Sequence, residues 1–180
     1  MKIGILSDSH LKSGYTKDVI DFLKEENCEY LIHAGDLCIE KNLQLLKESG
    51  LTYIAVFGNN DRNLIGLSSD YNIKLEPYYF KIKDTKFKLM HLPYHLTPDS
   101  DVVIFGHTHK FECEYKNKTL FVNPGEVCAR EKPVIECVKL EINENEYIIT
   151  HYFKSINEIN FNKEEYKYER EQWDFFMCYL

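Results

Sequence analysis

Apolar positions follow two rhythms along the chain. Through the first 60 residues short continuous runs alternate with helical stripes. Lys2–Leu6 is an apolar run that ends in the polar stretch Ser7–His10. Thr16 is placed to N-cap a helix of about ten residues, with Val19, Ile20 and Leu23 on one stripe. Tyr30–His33 is the next strand, closed by Ala34-Gly35-Asp36. Leu43, Leu45 and Leu46 mark a second helix, with Gly50 as its stop. Tyr53–Phe57 is a third strand and runs into Gly58-Asn59-Asn60-Asp61. This βαβαβ rhythm predicts a mainly parallel sheet with helices packed on it.

From Asn72 the pattern shortens. Tyr79–Lys83, Phe87–Met90, Val102–Phe105, Phe111–Tyr115, Thr119–Val122, Ile135–Ile142 and Tyr147–Tyr152 read as strands, parted by turns such as Lys116-Asn117 and Asn143-Glu144-Asn145. The second half is therefore β-rich and antiparallel in part, and two facing sheets with helices outside is the simplest way to bury both halves. Residues 151–180 hold nine of the 25 aromatics, interleaved with charge. A terminal helix docked on its own domain is the expected form, with a docking segment for a partner subunit as the main alternative. Disorder fits least, because disordered segments are depleted in aromatics.

Composition narrows the class. A chain of 180 residues suffices for one domain that buries roughly 70% of its unfolded surface without covalent staples. The net charge of −7 counts against long nucleic acids and anionic membranes, since no basic excess is available to displace counterions. Six cysteines form no CxxC pair. Met1-Lys2 runs straight into Ile3-Gly4-Ile5-Leu6 with no signal-peptide pattern, and no apolar run approaches roughly 18 residues. Free thiols in a reducing cytoplasm are therefore expected.

The chemistry gathers just past the strands. Asp8 and His10 follow the first, Gly35-Asp36 the second and Gly58-Asn59 the third. His91 follows Phe87–Met90, and Gly106-His107-Thr108-His109 follows Asp101–Phe105. Ligand sites of α/β sheets lie at the carboxyl ends of parallel strands, and these ends offer oxygen and imidazole donors suited to transition metals. Each feature also has a plain alternative. Asp36 is equally placed to cap the following helix, Asn59 to occupy a left-handed turn, and His107 and His109 to sit as polar residues at a strand exit. Five such ends in one ordered pattern are hard to assign to chance.

Asp8-Ser9-His10, Gly35-Asp36, Gly58-Asn59-x-Asp61, His91 and Gly106-His107-Thr108-His109, in that order, resemble the signature of the calcineurin-like metallophosphoesterases, and of their small bacterial and archaeal phosphodiesterase branch. Asn123-Pro124-Gly125 with Arg130 resembles a further stretch of that branch, while residues 151–180 find no counterpart. The resemblance implies a four-layer αββα sandwich, two facing mixed β-sheets flanked by helices, over residues 1–152, with 153–180 as an aromatic-rich extension. It implies two divalent ions bridged by Asp36, with Asp8, His10 and His109 completing one site and Asn59, His91 and His107 the other. Manganese, iron, zinc or nickel suits these donors better than magnesium or calcium. The implied activity is hydrolysis of small phosphodiesters by a metal-bridging hydroxide, with Asp36, Asn59 and His107 at the catalytic centre. Relatives commonly form homo-oligomers, and the aromatic tail is one surface for that. A phosphomonoesterase or nucleotidase with the same site is an alternative, as is a non-catalytic scaffold like the retromer subunit of this fold. Retention of all seven ligand positions favours an enzyme.

Two departures matter. Many members of the family carry histidine after the Gly-Asn pair, where this chain has Asn60, which cannot act as a general acid. That points to diesters rather than alkyl monoesters. Leu92-Pro93 follows His91 where the family usually has glycine, and His95 competes as a ligand; Phe87, Leu89 and His91 share a strand face, which favours His91. Asn60, Arg62 and Arg130 are candidate contacts to substrate oxygens, although either arginine fits a solvated charge. His33 reads as a structural histidine supporting the ligands, His151 as a surface residue, and Cys38 as a packed cysteine rather than a soft ligand.

Overall fold

The opening strands pair as the pattern predicts. In the computed structural model, which describes residues 1–171, β1 (Lys2–Leu6), β2 (Tyr30–His33) and β3 (Thr52–Val56) lie parallel and adjacent. A two-residue strand, β4 (Ile73–Lys74), extends them. Next come β5 (Tyr78–Ile82), β6 (Thr85–Leu89), β7 (Val102–Ile104), β8 (Phe111–Lys116) and β9 (Thr119–Pro124), which form a mixed sheet in the order β5-β6-β7-β9-β8. The chain then returns to the first sheet. There β10 (Val134–Ile142) pairs antiparallel with β1, and β11 (Glu146–Ser155) and β12 (Asn162–Glu169) follow it outward.

Alternation along the strands builds the core. Ile3, Ile5, Ile32, Val138 and Leu140 meet Phe87, Leu89, Val102, Ile104, Leu120 and Val122 between the sheets. On the other face of the larger sheet, Leu6, Leu31 and Cys137 receive Val19, Ile20 and Leu23 of α1 (Ser13–Glu25), and Leu43 and Leu46 of α2 (Glu40–Glu48). The outer face of the smaller sheet carries Met90, Val103 and Phe105. Here the fourth layer is the segment 93–99, with one 3-10 turn, rather than a long helix. It buries Lys88, whose ammonium reaches Thr97 Oγ1 at 2.7 Å and Asp99 Oδ2 at 3.1 Å.

Three expectations are corrected. Thr16 lies inside α1, buried, with its hydroxyl donating to the Lys12 carbonyl at 3.1 Å; Lys12 occupies the N-cap position. A β-branched hydroxyl bonds a preceding carbonyl as readily as it caps. His151 is buried, because β11 alternation puts it with Tyr147 and Ile149 on the inward face; it stacks on Phe111 at 3.8 Å and reaches Glu136 Oε1 at 3.1 Å. The expected docked helix over 153–180 is, where described, sheet. β11 crosses residue 152 without a break, and β12 pairs with it from Asn162 to Glu169. Tyr166 and Tyr168 alternate inward against Phe111 and Tyr115, so the period is two. Trp173, Phe175, Phe176 and Tyr179 lie outside the described residues. Cys28, Cys38, Cys113, Cys128 and Cys137 are free thiols, and among the described residues no helix is long and apolar enough to cross a membrane.

Candidate metal centre

The exits of β1, β2, β3, β6 and β7 converge on one end of the two sheets, and short loops there are tied to one another. Asp8 N–H donates to the Gly35 carbonyl at 3.0 Å and His10 N–H to the Asp36 carbonyl at 2.9 Å. Buried Asp61 accepts from Cys38 N at 2.6 Å and Gly58 N at 2.7 Å, locking the second loop to the third. Asn42 of α2 donates to the carbonyls of His10 and Leu37 at 2.8 and 2.7 Å. Five of the seven expected ligands, Asp8, His10, Asp36, His107 and His109, hold positive φ between 45° and 70°. Such backbone costs energy in non-glycine residues and concentrates at functional sites. Gly58 is required here, since a Cβ would overlap the Asp36 carboxylate.

Two clusters share Asp36. In the first, Asp8 Oδ1 lies 3.2 Å from His109 Nε2 and 4.0 Å from His10 Nε2, while Asp8 Oδ2 accepts from Ser7 Oγ at 2.6 Å and His107 N at 3.1 Å. In the second, His91 Nε2 lies 3.0 Å from Asn59 Oδ1 and 3.4 Å from Asp36 Oδ2, with its ring edge-on to His107 at 5.2 Å. Asp36 Oδ2 also stands 3.7 Å from His10 Nε2. Asp36 thus touches both clusters, and Asp8 also has a carboxylate oxygen within 4.8 Å of ligand atoms of Asp36 and His91.

Electrostatics follow from burial and these neighbours. Burial lifts the Asp8 carboxyl above its usual range, only partly offset by His91, Ser7 and His109. Burial also opposes ionisation of Asp36, yet His91 and the two Asn60 donors hold it well below the carboxylate range. Desolvation lowers His10; for His91 it is outweighed by Asp36 and Asp8, which raise it. His33 accepts Gly35 N–H on Nδ1 and meets Ser9 Oγ at 2.7 Å through Nε2, joining the first two loops. Complete burial pushes it down to about 3. It has the supporting place expected of it.

His91 is wholly buried beside Asp36 and Asn59, whereas His95, the last residue of the 3-10 turn Pro93–His95, is exposed. Asn60 is placed differently from a substrate contact: its backbone and side-chain N–H groups go to Asp36 at 2.9 and 2.7 Å. Arg130 Nη2 reaches His109 Nε2 at 3.0 Å, at the rim. Arg62 is exposed at the start of a 3-10 helix, Arg62–Leu67. Cys38 is half-buried with Sγ 3.3 Å from His10 Nδ1, and burial raises its thiol to about 12. Asp36 does not cap α2, whose N-cap is Ile39. Reading the sequence missed Ser7, Glu126 and Cys128. Glu126 accepts His109 Nδ1 at 2.6 Å and Cys128 Sγ at 3.1 Å; the signal available was a charged residue directly after Asn123-Pro124-Gly125.

Known proteins share this arrangement of sheets. Residues 1–155 match the calcineurin-like phosphoesterase superfamily domain. Phosphodiesterase MJ0936 of Methanocaldococcus jannaschii is 32% identical over 141 residues, 71% of this chain and 85% of that protein. A solved archaeal phosphodiesterase superposes with a TM-score of 0.73 at 29% identity, covering 84% of this chain and 99% of that one. A Vps29 single mutant from Entamoeba histolytica superposes with a TM-score of 0.74 at 23% identity, over 93% of this chain and 99% of that one, a likeness of fold alone. The chain belongs to the calcineurin-like phosphoesterase superfamily, hydrolytic phosphoesterases whose chemistry calls for divalent metal ions.

The donors present fit such ions. Asp8 Oδ1 and His10 Nε2 are buried without a hydrogen-bond partner, which is costly unless a cation meets them. His91 Nδ1 donates to the Ala34 carbonyl at 2.8 Å, leaving a lone pair on Nε2 that faces two oxygens. Only a proton or a metal ion relieves that contact.

Proposed function

We propose that this chain hydrolyses small phosphodiesters with two divalent transition-metal ions, Mn, Fe, Zn or Ni. The observation that carries this is the pair of buried, unpartnered ligand atoms, Asp8 Oδ1 and His10 Nε2, beside the central Asp36. Asp8, His10, His109 and Asp36 would hold one ion; Asp36, Asn59, His91 and His107 the other. When bound, two such ions polarise a phosphoryl oxygen and lower the pKa of water to near neutrality.

The chain's own residues supply order and orientation. Asn60 holds both oxygens of Asp36 so that the carboxylate keeps its central place. His107 is the exposed imidazole of the set, open to solvent beside His91. Arg130, at the rim, is suited to a non-bridging phosphate oxygen. With Asn60 in place of an imidazole, no side chain there can protonate a poor leaving group. That supports diesters over alkyl monoesters.

The test is turnover of bis(p-nitrophenyl) phosphate with added Mn²⁺ or Ni²⁺, compared with p-nitrophenyl phosphate. Faster diester turnover is expected. Faster monoester turnover would instead favour a phosphomonoesterase, and folded protein inert with every divalent ion would leave a scaffold. Asp36→Asn is expected to lower diester turnover by at least roughly 100-fold, since even supporting partners of metal ligands contribute 10- to 100-fold.

A further inference from the structure

Glu126 is wholly buried two residues past the end of β9, and its carboxylate gathers five donors. Oε2 accepts His109 Nδ1 at 2.6 Å, Cys128 Sγ at 3.1 Å and Arg130 N at 3.0 Å. Oε1 accepts Glu131 N at 2.9 Å and Lys132 N at 3.1 Å. A carboxylate so surrounded can only accept, so the hydrogen of His109 resides on Nδ1 and the lone pair on Nε2. That lone pair accepts from Arg130 Nη2 at 3.0 Å and also lies 3.2 Å from Asp8 Oδ1. The His109 ring is also stacked on His10 at 5.3 Å, which limits its rotation.

We infer that Glu126 is the positioning residue of the ion site formed by Asp8, His10 and His109, fixing the His109 tautomer and ring so that Nε2 is presented to the ion. The inference deepens the two-ion reading above and rests on it. A carboxylate behind an imidazole raises its basicity as a ligand. His91, in the other cluster, has only the Ala34 carbonyl behind it. The Asp8–His10–His109 site therefore binds its ion more tightly and loads first.

Cys128 takes a different role from the one its position suggests. Its sulfur lies within 4.8 Å of donor atoms of His10 and His109, which would permit a soft ligand. It instead donates to Glu126 at 3.1 Å and lies on the Nδ1 side of His109, away from Nε2. It helps to hold the carboxylate and does not bind the ion.

The test begins with unaltered protein freed of metal. Long-range ¹H–¹⁵N spectra are expected to show His109 with its hydrogen on Nδ1; a hydrogen on Nε2 would overturn the inference without any variant. Calorimetric titration with Mn²⁺ is expected to resolve a tighter and a weaker step. Glu126→Gln should weaken the tighter step by roughly 10- to 100-fold, while in a His109→Ala background the same change should add no further loss. An equal loss in that background would mean that Glu126 acts through general folding and would overturn the inference. Co²⁺-loaded protein should lack a thiolate charge-transfer band, and a strong band would make Cys128 a ligand and refute its assignment. These readouts use no substrate. Ion binding with the expected dependence but no diester turnover would remove the phosphodiesterase reading and leave Glu126 in place.

Discussion

His33 shows what complete burial does to an imidazole that joins two loops. It accepts from Gly35 and donates to Ser9 as the neutral ring, and desolvation holds it at about 3. The unfolded chain takes up that proton near pH 6.5. Below that pH the unfolded state binds more protons than the folded one, so stability is full above about 6.5 and falls as pH drops towards the folded value. His10, also lowered by burial, acts with the same sign, while His91, raised by Asp36 and Asp8, acts against them. In chelator, the melting temperature should therefore fall from about pH 7.5 to about pH 5, and His33→Gln should flatten that slope while lowering stability at neutral pH. An unchanged slope would remove His33 as its source. Gly58 sets a second residue-scale test. Because a Cβ there overlaps Asp36, Gly58→Ala should displace the shared carboxylate and weaken Mn²⁺ binding by at least roughly 10-fold in calorimetry.

At the scale of elements, strands carried by strong alternation or continuous apolar runs were legible, and so was the gathering of candidate ligands at their ends. β1, β2, β3 and the strands from β5 to β11 lie within a few residues of the pattern's prediction. Two elements were hidden for different reasons. β4 is only two residues long, and its pairing with β3 is a tertiary event with no local signal. β12 reads Asn162-Lys163-Glu164-Glu165-Tyr166-Lys167-Tyr168-Glu169, where charge masks an alternation of two tyrosines. The ordered motifs named the candidate ligands, but only the folded chain shows Asn60 turned onto Asp36 and Glu126 behind His109. If the tyrosines hold β12 down, Tyr166→Ser with Tyr168→Ser should lower unfolding free energy by roughly 1–3 kcal/mol. The same pair should speed amide exchange along β12. Lys163→Ser with Glu165→Ser, on exposed positions of the same strand, should stay within about 0.5 kcal/mol. Equal effects of the two pairs would mean that pairing with β11, not ring packing, anchors the strand.

At the scale of the whole molecule, charge decides which phosphates can approach. The chain carries −7 in total, and the site itself gathers Asp8, Asp36 and Glu126. Without cations this end of the sheets would repel a phosphodiester. Two divalent ions reverse the sign within the site, because a bound ion is the largest local charge there. They do little beyond a Debye length of about 10 Å, where the chain's net negative charge is left to act. A small diester has to cross only the reversed zone, whereas a long polymer must also extend into the field of the whole chain. In an assay with Mn²⁺ at low salt, excess single-stranded DNA should leave bis(p-nitrophenyl) phosphate turnover unchanged, while an unreactive small dialkyl phosphate should compete. Inhibition by DNA that weakens as salt is raised would reveal a basic track that the net charge conceals, since counterion release gives polymer binding that dependence. DNA inhibition indifferent to salt would instead mean that nucleotides enter the metal site one phosphate at a time, and that the chain's net charge sets no barrier to them.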